Sequence, residues 1–453
     1  MADVKALQAE RTQIFHDVHD NKIPKRVPVN LSLPLEPLAG YGGIDLVEAQ
    51  WDVSKCEPAL DKLCRNFYSD ICPGGTSLRY PGYYTPLESQ SFVMGSNGTF
   101  QHPEVVGMLP EEYDDLIENP YNCLLEKVIP RQYKALKLDD PINMMLSFTK
   151  AVLGYNAHMA EQGVLVSKYT EKYGYYSTSR YGGGFTEAPF DFLADQLRSF
   201  KGISMDVRRM PEKVAEACEA LYPITLKKGM PKVVSNYASV FIPLHMPTFM
   251  REKDFAKLWW PSFKRMVEEY ASLGIHSRIF CEDNWDRYLD YLYELPTDTI
   301  MMFEYGTPKL IKEKLGKKHI ITGLFPVTML KTHSKQECVD YTKQLLDILA
   351  PGGKFIFSLD KNPISIGDVN MDTFNAVAET VRDYGVYGNA GETAGLQFNK
   401  EDYRPSPSRK LESKYYNTWE QYKESHPGVS DFGEAKLQGF EDSLFQFLMF
   451  LLL

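Results

Sequence analysis

The sequence predicts an α/β protein built as a single (β/α)8 barrel of the TIM type, with an inserted hairpin region and a C-terminal helical extension. Three observations predict it. Short runs, apolar on both faces, recur in the second half of the chain: Ile275 to Asn284, Thr299 to Glu304, His319 to Leu324 and Lys354 to Asp360. Segments of helical character separate them, and strands buried on both faces that alternate with helices form a parallel sheet covered by helices. Several runs also end in acids (Glu282 and Asp283, Glu304, Asp360). The C-terminal strand ends are where such a barrel keeps its chemistry.

Taken in order, residues 2–20 read as a helix, and Arg26 to Leu33 as the first barrel strand, with Pro28 tolerable near its start. The Pro- and Gly-rich stretch from Pro34 to Gly43 is a loop at that strand's C-terminal end. A helix over 56–68 leads to Ser69-Asp70-Ile71. The insertion at 73–110 is rich in Gly, Pro, Tyr and Ser, and Asn97-Gly98 between Ser89–Met94 and Thr99–His102 signals a hairpin. Pro110 opens a helix at Glu111. From 140 to 220 the pattern is helical, broken by the Gly- and Tyr-rich segment from Tyr173 to Gly184, read as a mobile loop over the site. Val233 to His245 reads as a strand with its exit loop, and Phe255 to Leu273 as an aromatic-rich helix closed by Gly274. Residues 368–384 are an amphipathic helix. The barrel is assigned to 1–400 and the extension to 401–453, where a polar, Pro- and Ser-rich stretch gives way to a last helix from Asp431.

Composition narrows the function. With 453 residues and 43% of them hydrophobic, the chain can bury a large core. The net charge of -10 and the lack of a long basic run argue against nucleic acid as a partner. The N-terminus is charged and helical, with no apolar signal-peptide core, and the seven cysteines are scattered without CxxC spacing. Both features suit a reducing cytoplasm. The apolar end, Phe445 to Leu453, is far shorter than the ~18 residues a membrane span needs. It is expected to pack on the body of the protein or on a second subunit, the latter making a homodimer.

The order of certain pieces resembles the uroporphyrinogen decarboxylase superfamily. They are Lys25 to Val29, Ser69-Asp70, Met108 to Asp115, Ile279 to Asp283, and Gly353 to Asn362 followed by the helix that ends at Tyr384. The likeness spans roughly residues 20–385. The resemblance implies one (β/α)8 barrel and one of two activities. The decarboxylase branch carries arginines after the first strand to bind the carboxylates of its porphyrinogen. This chain has Leu31 to Gly40 there, with Glu36 and no arginine. The resemblance therefore implies the other branch, methyltransferases that work with corrinoid (cobalamin) proteins, and among them the substrate methyltransferase of aryl methyl ether O-demethylase systems. That branch often binds zinc through His-x-Cys and a later Cys. The aligned positions here are Phe280, Glu282 and Lys361, so the thiolate form of the site is missing.

The candidate site follows from strand-end logic. Glu282 shares the inward face of its strand with Phe280, and a carboxylate at a barrel mouth is seldom bland. Glu304 has the same position one strand later, or it is a salt-bridge partner of a neighbour. His245 lies in an exit loop, as a ligand or acid, or as a structural histidine. These three are expected either to bind zinc or to act as a protonated acid held by neighbouring charge. Asp70 is a candidate orienting group. Cys281 alternates outward and reads as core. Met94, Phe241, Met246, Phe280, Phe325 and Asp360 are candidates to line the substrate pocket. The expected reaction moves a methyl group from a methoxylated aromatic to the Co(I) corrinoid of a separate corrinoid protein. No Asp-x-His-x-x-Gly signature is present, which places that cofactor on a partner. The alternatives are a decarboxylase or lyase of a smaller carboxylic acid, for which Arg180 is a candidate carboxylate binder, and a methyltransferase using an amine or thioether donor.

Overall fold

The computed structural model describes residues 2–77, 79–177, 183–404 and 410–452. Five parallel strands stand side by side: β3 (Gly183–Phe185), β4 (Ser239–Leu244), β5 (His276–Asn284), β6 (Ile300–Tyr305) and β7 (Ile320–Gly323). Three extended segments complete the ring through parallel bridges. The segment 354–360 pairs with the β7 side at Ile321–Phe355 and Phe325–Leu359, and with 27–33 at Val29–Phe357. The segment 27–33 meets 69–74 at Leu33–Gly74, and Ile71 meets Tyr176 just before β3. Together these eight segments form a ring of parallel neighbours, the arrangement of a (β/α)8 barrel.

Alternation along the strands sorts side chains between lumen and helices. On β5, Arg278, Phe280 and Glu282 are partly exposed toward the lumen, while Ile279 and Cys281 are fully buried beneath the helices. On β6, Met302 and Glu304 face the lumen, and Met301 and Phe303 are buried. Register places Phe241 beside Arg278, and Phe280 beside Met302 in the next layer up. Cys281 is core, as its place in the alternation demands.

The hairpin around Asn97-Gly98 forms, with β1 (Val93–Met94) antiparallel to β2 (Phe100–Gln101) and Gly98 at φ +82. The strand expected over 233–245 begins only at Ser239, because Ala238 N–H closes a turn on Ser235. A strand also forms where a glycine loop was expected. In β3 a Cβ on Gly184 would lie 1.8 Å from the carbonyl oxygen of Gly229, so the glycine is there for close approach to the end of the helix Pro211–Gly229. Residues 178–182 of the proposed lid, Arg180 among them, lie outside the described residues.

Helix Ala2–His19 covers the N-terminal end of the barrel. Phe15 stacks on Tyr176 at 4.3 Å, and Arg11 donates to the carbonyls of Tyr173 and Gly174. The last helix, Glu434–Phe450, buries Phe445, Phe447, Leu448 and Met449 in the same core as the barrel. Among the described residues no helix is long and apolar enough to cross a membrane.

Candidate active site at the barrel mouth

The C-terminal ends of β4 and β5 bring His245 and Glu282 together. His245 Nε2 lies 3.3 Å from Glu282 Oε1, and its Nδ1 lies 2.8 Å from Asp195 Oδ2. Burial works against a charged imidazole here. The two carboxylates, Asp195 first, outweigh it and raise the His245 pKa to about 11. A buried carboxylate, Asp191, fixes the backbone beneath. It accepts from the amides of His245 (3.2 Å) and Met246 (3.3 Å) and from Trp259 Nε1 (2.8 Å). Burial, reinforced by Asp195, pushes the Asp191 carboxyl up to about 8.

Glu304 stands at the same rim but turns the other way. A bulge in β5 between Cys281 and Asn284 puts Asp283 at φ +59, and its amide donates to Glu304 Oε2 at 2.9 Å. Lys361 pairs with Glu304 Oε1. Burial alone would raise the Glu304 pKa, but the amide and the ammonium hold it below the ordinary value.

Below this rim lies a cavity of about 400 Å³ lined by Phe241, Arg278, Phe280, Met302, Ser358 and Lys361, among others. That is ample for a small aromatic ligand. A second space of about 240 Å³, lined by Phe15, His19, Tyr176 and Arg278, lies beneath it.

Phe241 and Phe280 thus line the cavity, while the other pocket candidates do not. Met94 stays on the hairpin opposite Phe100. Met246 lines a separate hollow of about 100 Å³ with Phe249 and Met250. Phe325 is fully buried against Phe357 and Tyr341, on the helix side of the wall. Asp360 is 1% exposed and holds the amides of Val327 (2.9 Å) and Lys361 (2.7 Å). Asp70 is far from the rim in role and place. It sits at the N-terminal end of its segment in a buried knot with Arg26 (2.7 and 2.8 Å), Arg11 (3.4 Å) and the amide of Val29 (2.8 Å).

The expected zinc set does not fit this geometry. His245 faces carboxylates through both nitrogens, Asp195 at Nδ1 and Glu282 at Nε2, and Glu304 is not among them. Glu304 is committed to Lys361 and to the Asp283 amide. Among the described residues no group of three His, Cys, Asp or Glu is placed to hold a metal.

Asp191 and Asp195 were missed from the sequence. Phe190-Asp191-Phe192-Leu193-Ala194-Asp195 reads as ordinary amphipathic helix, and only folding brings it against the β4 exit. The i, i+4 spacing of the two acids was the one signal present.

Residues 182–384 match the family model described as uroporphyrinogen decarboxylase (URO-D). This stretch is similar to a URO-D domain, and it spans less than half of the chain. It holds β3 through β7 and the segment 354–360, and with them His245, Glu282, Glu304, Asp191 and Asp195. Among solved structures, the chain is similar to a methyltransferase from Methanosarcina mazei, with a TM-score of 0.51 and 11% sequence identity, over 83% of this chain and 98% of that one. At that identity the likeness is one of fold. No curated protein sequence matches the chain.

Proposed function

We propose that the chain is the substrate-side methyltransferase of a corrinoid-dependent O-demethylation system. It takes a methyl group from a methoxylated aromatic and passes it to the Co(I) corrinoid of a separate protein. The observation that carries this reading is His245, held charged by Asp195 and Glu282 above a cavity walled by Phe241, Phe280 and Met302. The similarity to a URO-D domain and the resemblance in fold to a protein named as a methyltransferase support it.

The acceptor corrinoid supplies the nucleophile that takes the methyl carbon. The ether oxygen keeps the bonding pair and leaves as a phenolate, and this chain's part is to receive that charge. His245 Nε2–H is the donor at hand. Its 3.3 Å contact with Glu282 is long enough to yield to a substrate oxygen, while the 2.8 Å bond to Asp195 holds the ring in place. The Asp195 carboxylate keeps the ring charged as the Glu282 contact yields, so the proton is available to the leaving phenolate. The aromatic walls orient the ring, and removing water strengthens the imidazolium–oxygen contact.

The assay mixes the purified protein with a reduced corrinoid protein and methoxyphenols and follows corrinoid methylation by absorbance. Methylation is expected. No spectral change with any ether, amine or thioether donor would overturn the reading. One observation, the guanidinium of Arg278 on the cavity floor, favours a second reading, a decarboxylase or lyase of a small acid. Release of carbon dioxide without methyl transfer would select it.

A further inference from the structure

Arg278 is the cation that the rim chemistry leaves unused. It points inward from β5, one layer below Phe280, and lines both the cavity under the rim and the space beneath it. Its Nε has no hydrogen-bond partner, and its Nη2 meets only the Met302 sulfur, at 3.9 Å, among the described residues. Its guanidinium carbon lies 5.9 Å from the centroid of the Phe241 ring. The residues outside the described set include no aspartate or glutamate that could reach it.

The other arginines of the interior are treated differently. Arg11 and Arg26 share Asp70, and Arg198 is paired with Asp206 at 2.6 Å. Removing a guanidinium from water without an acid is costly, and a protein keeps one there when something else completes it. The planar fork of an arginine matches a carboxylate in two parallel hydrogen bonds.

We propose that Arg278 is the seat of a substrate carboxylate, and that the ligand of this barrel is an aromatic acid bound head-down. Arg278 and Glu282 are four residues apart on one strand face, roughly 13 Å at ~3.3 Å per residue. That length takes one substituted ring with a hydrogen bond at each end. Phe241 and Met302 flank the ring, the carboxylate rests on Arg278, and the opposite substituent reaches His245 and Glu282. Identifying that substituent as the methoxy group rests on the function proposed above, whereas the carboxylate seat does not.

Titration calorimetry tests this with 4-methoxybenzoate and benzoate against their uncharged counterparts, methyl 4-methoxybenzoate and anisole. The acids are expected to bind the wild-type protein at least tenfold more tightly than the neutral compounds. Arg278→Met should abolish that preference, and Arg278→Lys should keep part of it. Equal binding of acid and ester by the wild-type protein, or undiminished acid binding by a folded Arg278→Met, would overturn the proposal. If Arg278→Met does not fold, the wild-type comparison of acid with ester decides alone. Arg278-dependent acid binding without methyl transfer to a corrinoid would leave this proposal standing and remove the methyltransferase reading. Methyl transfer from neutral ethers only would do the reverse.

Discussion

At the C-terminal rim, His245 lies between two carboxylates and carries a proton up to pH about 11. At the N-terminal end, burial holds His19 and His276 neutral, with pKa values lowered to about 3 and about 4. His319, fully buried beside them at the start of β7, is pushed down in the same way. The same side chain is thus charged at one end of the barrel and uncharged at the other. The difference lies in what surrounds it. The rim supplies acids and some access to water. The lower end supplies helix 2–19, neighbouring histidines and the ammonium of Lys354, all of which disfavour charge. On the function proposed above, the charged rim is the region poised for chemistry and the neutral lower end the one built for stability.

The largest effect should come from breaking the rim. His245→Gln is expected to lower kcat for methyl transfer by roughly 10²–10⁴-fold, the usual contribution of a positioned acid, in protein that circular dichroism shows to be folded. A change of less than threefold would remove His245 from the chemistry. The next effect belongs to the other end. Asp70→Asn strips the acid from two buried guanidinium groups and should cost about 3–5 kcal/mol of stability in denaturant unfolding.

The pH dependence sharpens the contrast. The folded-state values of His19 and His276 lie below the 6.5 of an unfolded histidine. Each therefore contributes stability that is complete above pH 6.5 and is lost as the pH falls toward 4 and 3. The expected slope is about 1.4 kcal/mol per pH unit for each, read from unfolding curves between pH 6.5 and 4. Replacing both with glutamine should make it shallower, with His319 left to titrate in the same sense. His245 has the opposite sign: its contribution is complete below pH 6.5 and is lost as the pH rises through about 11. The smallest expected effect is none: treatment with a chelator should leave methyl transfer unchanged, because the rim binds its proton donor with carboxylates. Loss of activity on chelation, restored by zinc, would contradict that.

The alternation of apolar runs and helices made the barrel legible, because a parallel sheet buried on both faces leaves no other pattern. The inward set Phe280 and Glu282, and the outward Cys281, followed from the two-residue period of a strand. The third strand was hidden because Gly184 answers to the approach of Gly229 and not to β propensity. Asp191 and Asp195 were hidden because their partners are fifty or more residues away in sequence, where no local pattern reaches. Asp70 and Asp360 misled for a related reason: an acid beside a strand reads the same from sequence whether it faces substrate or ties down backbone amides.

Helix 2–19 has one more consequence. It lies across the lower opening, with Phe15 seated on Tyr176 and lining the lower space beside Arg278. On the function proposed above, a ligand on Arg278 leaves past His245, and a macromolecule perched on the lip would trap it. The expected order on that reading is small molecule first and acceptor second. An excess of acceptor should slow turnover by blocking the exit.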